Sequence, residues 1–185
     1  MRRLIVLAFA SLLLAACASR GPVAHPQVEL PPLRLPPAAL GKSLSLQQRL
    51  HFTFGTQQRD LDALLETDPE EVRLLVQAMG QSGVRLSWDG KELREQRAPW
   101  LPPAVRGERV LDDLQFVLWP ADAIRAALPS GWTLEERDGK RSLQHQGHVW
   151  LRSSGDAANG NATLENLAEG YRLQIESASG TEASP

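Results

Sequence analysis

The sequence has a single cysteine among its 185 residues, which excludes a disulfide within the chain, so stability must come from packing. Basic residues do not outnumber acidic ones, the formal net charge is −2, and no long block of like charge occurs. This composition does not point to nucleic acid as a partner. Beyond the first 16 residues, no apolar run reaches the roughly 20 residues that a membrane-spanning helix needs.

Motifs for catalysis are also missing, since the chain has no Gly-x-Ser-x-Gly, no paired-His helix motif and no Gly-rich phosphate loop. His145 and His148 lie three residues apart near a turn, where strand geometry points them to opposite faces, so we interpret them as surface residues. Adjacent residues of a helix or strand do not converge on one point. We therefore interpret the pairs Asp112-Asp113 and Glu135-Glu136 as charged residues exposed to solvent. We expect no enzymatic activity, no cofactor and no metal.

The amino-terminal segment has the layout of a secretory signal, with Arg2 and Arg3 followed by an apolar run from Leu4 to Ala16. The run is too short to span a bilayer as a helix. The pattern Leu-Ala-Ala that precedes Cys17 resembles the lipobox of bacterial lipoproteins. The resemblance implies cleavage after residue 16 and acylation of Cys17. No Asp follows the cysteine, and by the same resemblance this favours anchoring on the periplasmic side of the outer membrane.

Residues 17–43 contain the cysteine and a Pro-rich segment, for which two interpretations remain. Proline fixes φ and favours extended backbone, so the segment could be a spacer between the membrane and the folded domain. Leu30, Leu33 and Leu35, which lie among the prolines, could instead pack on the domain.

Alternating apolar residues predict strands on both sides of a helical region. Five short strands are expected from residue 44 to about Arg97, with a type I′ hairpin turn at Asp89-Gly90 and a charged edge strand after it. The spacing of Val110, Leu111, Leu114 and Val117 predicts an amphipathic helix, and a shorter helix follows Pro120. Further strands run from Trp132 to about residue 176.

An antiparallel sheet has one face to bury, and these helices are the elements able to cover it. The predicted fold is therefore α+β, a curved antiparallel sheet or incomplete β-barrel with a helical lid inserted after the fifth strand. We assign residues 1–16 to a signal peptide, 17–43 to the lipidated cysteine and linker, 44–177 to the half-barrel domain and 178–185 to a tail. Apolar residues fill a core or line a cavity between sheet and lid: Leu50, Phe52, Phe54, Trp88, Leu114, Trp119 and Trp132.

Several short motifs extend across most of the predicted domain. They are Leu86-Ser87-Trp88-Asp89-Gly90, Leu93-Arg94-Glu95, Pro99-Trp100-Leu101-Pro102, Leu111-Asp112-Asp113-Leu114-Gln115, Trp119-Pro120, Gly131-Trp132, Glu165-Asn166-Leu167 and Gly170-Tyr171-Arg172-Leu173. With the lipobox and the order of elements, they resemble the LolA/LolB superfamily, and within it an uncharacterised group of LolB-like bacterial lipoproteins.

The resemblance implies a half-barrel with a helical lid over a hydrophobic cavity. LolB receives the acyl chains of lipoproteins from a periplasmic carrier and places them in the outer membrane. It also has a protruding loop with an exposed Leu, and Met79 stands at the corresponding turn. By this resemblance Met79 probes a membrane or an acyl chain; alternatively, it packs at the end of the sheet, because flexible Met fills gaps readily.

Two main hypotheses follow for the function. In the first, the protein is a monomeric outer-membrane lipoprotein that binds acyl chains or lipids, with Met79, Leu50, Phe52, Phe54, Trp88, Leu114 and Trp119 as candidate contacts. Its partners are membrane lipid through Cys17, an acyl or lipoprotein cargo, and a periplasmic carrier. In the second, it is a scaffold lipoprotein with a filled core. A third and weaker hypothesis is an enzyme, which a cluster of converging buried polar groups in the cavity between sheet and lid would support.

Overall fold

The computed structural model describes residues 28–101 and 105–179. The predicted signal segment and Cys17 lie outside the described residues. The same holds for residues 180–185 of the predicted tail.

Ten strands form one antiparallel sheet, in the spatial order β5-β4-β3-β2-β1-β10-β9-β8-β7-β6. The strands are β1 (Leu44–Phe54), β2 (Gln57–Thr67), β3 (Val72–Ala78), β4 (Gln81–Trp88), β5 (Leu93–Arg97), β6 (Trp132–Arg137), β7 (Lys140–His145), β8 (His148–Gly155), β9 (Asn161–Asn166) and β10 (Tyr171–Ser179). The first and last strands pair with each other, which places the halves before and after the helices side by side. Strands β5 and β6 are the two edges, so the sheet is open.

The alternation in the sequence matches the two faces of the sheet. In β1, Leu46, Gln48 and Leu50 are buried, whereas Gln47 and Arg49 between them are exposed. Successive side chains of a strand point to opposite faces, so this alternation defines one inner and one outer face. The predicted edge strand is confirmed as β5, which has one half-buried residue and four exposed ones.

Four of the eight hairpin connections have only two residues, and three of these have positive φ at both residues. Met79-Gly80, Asp138-Gly139 and Gln146-Gly147 have positive φ at both turn residues, as a type I′ turn demands. The predicted type I′ turn at Asp89-Gly90 is wrong. A four-residue connection stands there, in which the Asp89 carboxylate accepts the backbone N–H groups of residues 91 and 92 at 2.8 and 2.7 Å.

Two helices connect β5 to β6, α1 (Gly107–Leu118) and α2 (Ala121–Ala127). Pro120 separates them as predicted, because proline cannot continue the hydrogen-bond ladder of a helix. Leu111 and Phe116 of α1 and Ile124 of α2 are fully buried. The described residues therefore form an α+β fold with helices inserted after the fifth strand, which confirms the predicted fold class. No described helix has both the length and the apolar composition for a membrane span.

Candidate functional site

Residues 28–40 pack along the hydrophobic core with alternating buried and exposed side chains, and we call this segment the strap. Its four leucines, Leu30, Leu33, Leu35 and Leu40, are no more than 6% exposed and belong to the same apolar cluster as the sheet and the helices. The strap ends in a short 3₁₀-helix, Pro37–Leu40. Of the two interpretations of the Pro-rich segment, packing on the domain is therefore correct for residues 28–40, and they are not a spacer. Proline suits this position because it brings no backbone N–H group that would need a partner.

Two polar side chains of α1 bind the strap backbone. The Leu33 N–H donates to Asp112 Oδ1 at 3.0 Å, and the Leu35 N–H donates to Gln115 Oε1 at 2.9 Å. Gln115 Nε2 donates back to the Leu35 carbonyl at 2.7 Å. Gln115 is fully buried, and both its amide oxygen and its amide nitrogen are hydrogen-bonded to the strap. The predicted lid helix thus contacts the strap and not an empty space at this point.

The indole N–H groups of two tryptophans donate hydrogen bonds to backbone carbonyls of the strap. Trp88 Nε1 from β4 donates to the Leu35 carbonyl at 2.8 Å, and Trp119 Nε1 donates to the Pro36 carbonyl at 3.2 Å. The Arg34 guanidinium lies 5.7 Å from the centre of the Trp88 ring, within the range of a cation–π interaction. These bonds and those of the two α1 side chains go to backbone groups and hold the strap between β4 and α1 on both sides of Arg34, whose φ of 48° turns the chain.

The candidate acyl-contacting residues do not form one group. Leu50, Trp88 and Trp119 are buried in the common core, and Leu114 is half-buried against it. The half-buried Phe52 packs with its ring centre 5.4 Å from that of Tyr171. In contrast, Phe54 is exposed at the end of β1, and Met79 is 96% exposed at the β3–β4 turn. Of the two interpretations of Met79, packing at the sheet end does not match this exposure.

The pair Asp112-Asp113 is buried, so the prediction that it is solvated charge is wrong. Arg109 lies one turn earlier and reaches both carboxylates, with its Nη2 3.2 Å from Asp112 and its Nε 3.3 Å from Asp113. The latter ion pair lacks hydrogen-bond geometry. Adjacent helix positions can both be buried here because the strap covers Asp112 and the sheet covers Asp113, which accepts the hydroxyl of Tyr171. Tyr171 in turn accepts a bond from Asn166 Nδ2 at 3.0 Å.

Burial raises the pKa of Asp113 to about 7, although Arg109 and the Tyr171 hydroxyl oppose the shift. Burial also raises the pKa of Asp112, against the effect of Arg109. Burial and the neighbouring Asp113 raise the pKa of Tyr171. The Asp113 carboxyl therefore keeps its proton in the native state but loses it in the unfolded chain between about pH 4 and pH 7, and its contribution to stability decreases as the pH rises through this interval.

The other predicted polar pairs lie at the surface. Glu135 and Glu136 are exposed, and Glu136 pairs with Arg141 at 2.7 Å. His145 stacks on Trp132 with 4.7 Å between ring centres. His145 and His148 are directly opposite each other across the Gln146-Gly147 turn, which places them on the same face of the sheet, so the prediction that they point to opposite faces is wrong. Within residues 28–101 and 105–179, no group of three or more His, Cys, Asp or Glu is placed to hold a metal ion.

Two depressions of the described surface have charged and hydroxyl side chains in their linings. One, of about 540 Å³, is lined mainly by charged and hydroxyl side chains of β6 to β10, among them Arg137, Arg152, Glu165 and Arg172. The other, of about 280 Å³, lies beside Lys42, Arg141 and Asp156. Neither has the apolar lining that an acyl chain requires. The apolar space between the sheet and α1 is the space that the strap occupies.

Comparison with known proteins identifies a family by sequence and one structural similarity at low sequence identity. The sequence model of a family described as "Protein of unknown function (DUF3261)" matches residues 45–179. A search of curated protein sequences finds no match. The structure is similar to the crystal structure of a DUF1329 family protein from Desulfovibrio piger ATCC 29098, with 7% sequence identity and a TM-score of 0.39. The likeness covers 82% of this chain and 92% of the other.

Proposed function

The chain belongs to the DUF3261 family of proteins of unknown function, and we propose that it is a lipid-anchored outer-membrane lipoprotein that binds acyl chains or lipids. The binding site is the apolar space between the sheet and α1, and the strap must leave this space when a ligand enters. The protein acts by binding and transfer and forms or breaks no bond in its cargo.

The proposal rests on one observation: leucines of the strap fill the apolar space between the sheet and α1. The strap supplies four buried leucines to the apolar cluster that it shares with the sheet and α1, and its backbone is hydrogen-bonded to Gln115 and Trp88. The leucine side chains of the strap and an acyl chain are both apolar, so both are stabilised in this space by leaving water. A space that accepts the strap can therefore accept an acyl chain once the strap is displaced.

When an acyl chain replaces the strap, the burial free energy that is lost and the burial free energy that is gained are of similar size. Burial of one Leu side chain contributes about 1.5–3 kcal/mol, so the strap's four leucines contribute about 6–12 kcal/mol before entropy is subtracted. A sixteen-carbon chain gains about 0.8 kcal/mol per methylene, or about 12 kcal/mol. Since transfer of the same chain to a bilayer is close to isoenergetic per methylene, movement of the strap would control uptake and release.

The cellular setting rests on the sequence. The resemblance of residues 14–17 to a lipobox supports acylation of Cys17, and the residues after it support the periplasmic side of the outer membrane. The resemblance to LolB supports a lipoprotein, a lipid or a lipid-like product as cargo, delivered by a periplasmic carrier. A monomer suffices for this mechanism.

The second candidate function is a scaffold lipoprotein without a ligand. It is favoured by the continuity of the apolar cluster, which joins the sheet, the helices and the strap, and by the polar character of the two depressions. In this alternative the strap is a permanent part of the core. The two candidates differ in one measurable property, saturable binding of an acyl chain.

Titration with a fluorescent fatty-acyl probe tests the proposal on the mature chain without its acyl anchor. We expect saturable binding that Leu114→Asp weakens at least tenfold, because Leu114 lies half-buried on α1 against the core. The matched control is Leu64→Asp, which places the same charge at an exposed Leu and should bind as the parent does. Circular dichroism checks that each variant is folded. Absence of binding by the folded parent chain would refute the proposal and favour the scaffold.

A further inference from the structure

Exposed large apolar side chains are concentrated at one rim of the sheet. Among the described residues they are Phe54, Leu64, Met79, Trp100 and Leu167, between 42% and 96% exposed. Only Leu64 lies in the middle of a strand. Phe54 ends β1, Met79 is in the β3–β4 turn, Trp100 follows β5, and Leu167 is in the β9–β10 turn.

Strand order brings these four residues to the same side. In an antiparallel sheet, successive turns alternate between the two rims. Phe54 pairs with Tyr171 at the start of β10, so the β9–β10 turn adjoins the β1–β2 turn. The β3–β4 turn and the end of β5 lie on that rim as well, since Ala98 bonds to Gly83 at 2.8 Å near the start of β4. We call this side, which comprises residues 54–56, 79–80, 98–101, 146–147 and 167–170, the apolar rim.

The opposite rim has a different chemistry. Its turns, residues 68–71, 89–92, 138–139 and 156–160, form what we call the acidic rim. They carry the carboxylates of Asp68, Glu70, Glu71, Asp89, Glu92, Asp138 and Asp156. The apolar rim has a single carboxylate, Glu169, and it pairs with Arg106 at 3.0 Å. The acidic rim therefore carries more carboxylates than the apolar rim, although Arg73, Arg94 and Arg137 pair with some of them.

The strap enters the domain from the apolar rim. Its hydrogen bonds advance from Asp112 to Gln115 to Trp119 as the strap runs from Leu33 to Pro36, so the strap runs in the same direction as α1.

Helix α1 begins near the apolar rim, where Arg106 meets Glu169. It ends near the acidic rim, where Arg141 Nη1 donates to the carbonyls of Phe116 and Trp119 at 2.8 and 2.7 Å. The first described residue, Val28, thus lies toward the apolar rim. The chain from Cys17 to Val28 can extend at most about 40 Å, at about 3.3–3.6 Å per residue.

We propose that the apolar rim is the surface by which the domain contacts the lipid bilayer. Phe54, Met79, Trp100 and Leu167 enter the interfacial region, where aromatic and aliphatic side chains are favoured, and the acidic rim faces the aqueous side. The exit of the strap at the same rim lets the anchor and the rim engage one membrane at the same time. The contact needs neither displacement of the strap nor a bound ligand, so it can fail or succeed independently of acyl binding.

The experiment uses the full lipid-anchored chain in vesicles of phosphatidylethanolamine and phosphatidylglycerol at a 3:1 ratio. Cysteine is introduced singly by Met79→Cys or Leu167→Cys on the apolar rim and by Glu70→Cys on the acidic rim as control, and each is labelled with an environment-sensitive fluorophore. The parent chain serves as the labelling blank, because its one cysteine carries the anchor. Circular dichroism establishes that each labelled chain keeps the parent fold.

We expect iodide in the aqueous phase to quench the two apolar-rim labels at least fivefold less than the Glu70 label. Lipid-borne spin labels should quench them more. Equal quenching of all three labels by iodide would overturn the proposal. Protection of the Met79 label alone would also overturn it, because the argument rests on a whole rim. Protection that appears only after a second protein is added would assign the rim to a protein partner and overturn the bilayer contact.

Discussion

The strap can be tested as a separately opening unit with Leu33→Ala. Leu33 is 6% exposed, and removal of a buried Leu side chain costs about 2–5 kcal/mol. The amide of Leu35, which donates to Gln115 at 2.9 Å, reports opening of the strap through native-state hydrogen exchange. Since about 1.4 kcal/mol corresponds to a tenfold change in an equilibrium constant, its exchange should accelerate by about 30-fold to more than 1,000-fold.

The dependence of this exchange on urea distinguishes a local opening from global unfolding. In the parent chain we expect the Leu35 amide to open at a lower free energy than the amides of β1 and β10, and with little dependence on urea because little surface is exposed. The control Leu64→Ala makes the same change at an exposed position and should shift the opening free energy by less than about 0.5 kcal/mol. Identical opening free energies and urea dependences for the strap and the sheet would refute the reasoning.

Three further predictions concern groups around the strap and the sheet. Between pH 4 and pH 7 the parent chain should lose about 3 kcal/mol of stability that Asp113→Asn does not lose, because the native pKa of Asp113 is about 7. Denaturant titrations of both proteins at the two pH values measure this difference, and an equal change in both proteins would contradict it. Gln115→Met should cost about 1–3 kcal/mol in chemical denaturation because the Leu35 N–H loses its acceptor, and an unchanged midpoint would count against this bond. Gly155→Ala should lower the stability more than the matched Gly139→Ala. Both glycines have positive φ, which costs a residue with a Cβ about 1–2 kcal/mol, but of the two only Gly155 has a neighbouring backbone with which a Cβ would collide. Equal shifts of the melting temperature would contradict this prediction.

Periodicity was sufficient to predict the sheet. The alternation of Leu46, Gln48 and Leu50 placed β1, and the helix spacing placed α1 after the fifth strand. These signals are local, because the twofold and 3.6-fold periods are properties of the strand and the helix themselves. The Asp89-Gly90 connection is longer than predicted, because the Asp89 side chain accepts two backbone N–H groups, as Asp68 does in the connection between β2 and β3.

The sequence left two alternatives open for the strap, a spacer and a segment packed on the domain. Its composition is typical of a linker, whereas the leucines at positions 30, 33 and 35 are a signal of packing. The partners that decide between the two, Asp112 and Gln115, are about 80 residues away in the chain. No local pattern contains that information.

The burial of Asp113 could not be predicted for the same reason. The rule that adjacent carboxylates do not converge is correct for an isolated helix. Here Tyr171, 58 residues away, approaches from the sheet, and the strap covers the other side. The apolar rim likewise depends on strand order, because Met79 and Leu167 belong to turns far apart in sequence.

The most direct test of the central claim is a titration with a sixteen-carbon fatty acid, below its micelle concentration, observed through the five indole N–H signals in ¹H–¹⁵N NMR. Trp88 and Trp119 donate to strap carbonyls at 2.8 and 3.2 Å, so displacement of the strap by an acyl chain breaks both bonds. The account predicts that these two signals shift saturably and together. If both stay in place while the fatty acid is added, or if only the exposed Trp100 responds, the strap does not make way for an acyl chain and the proposed function is contradicted.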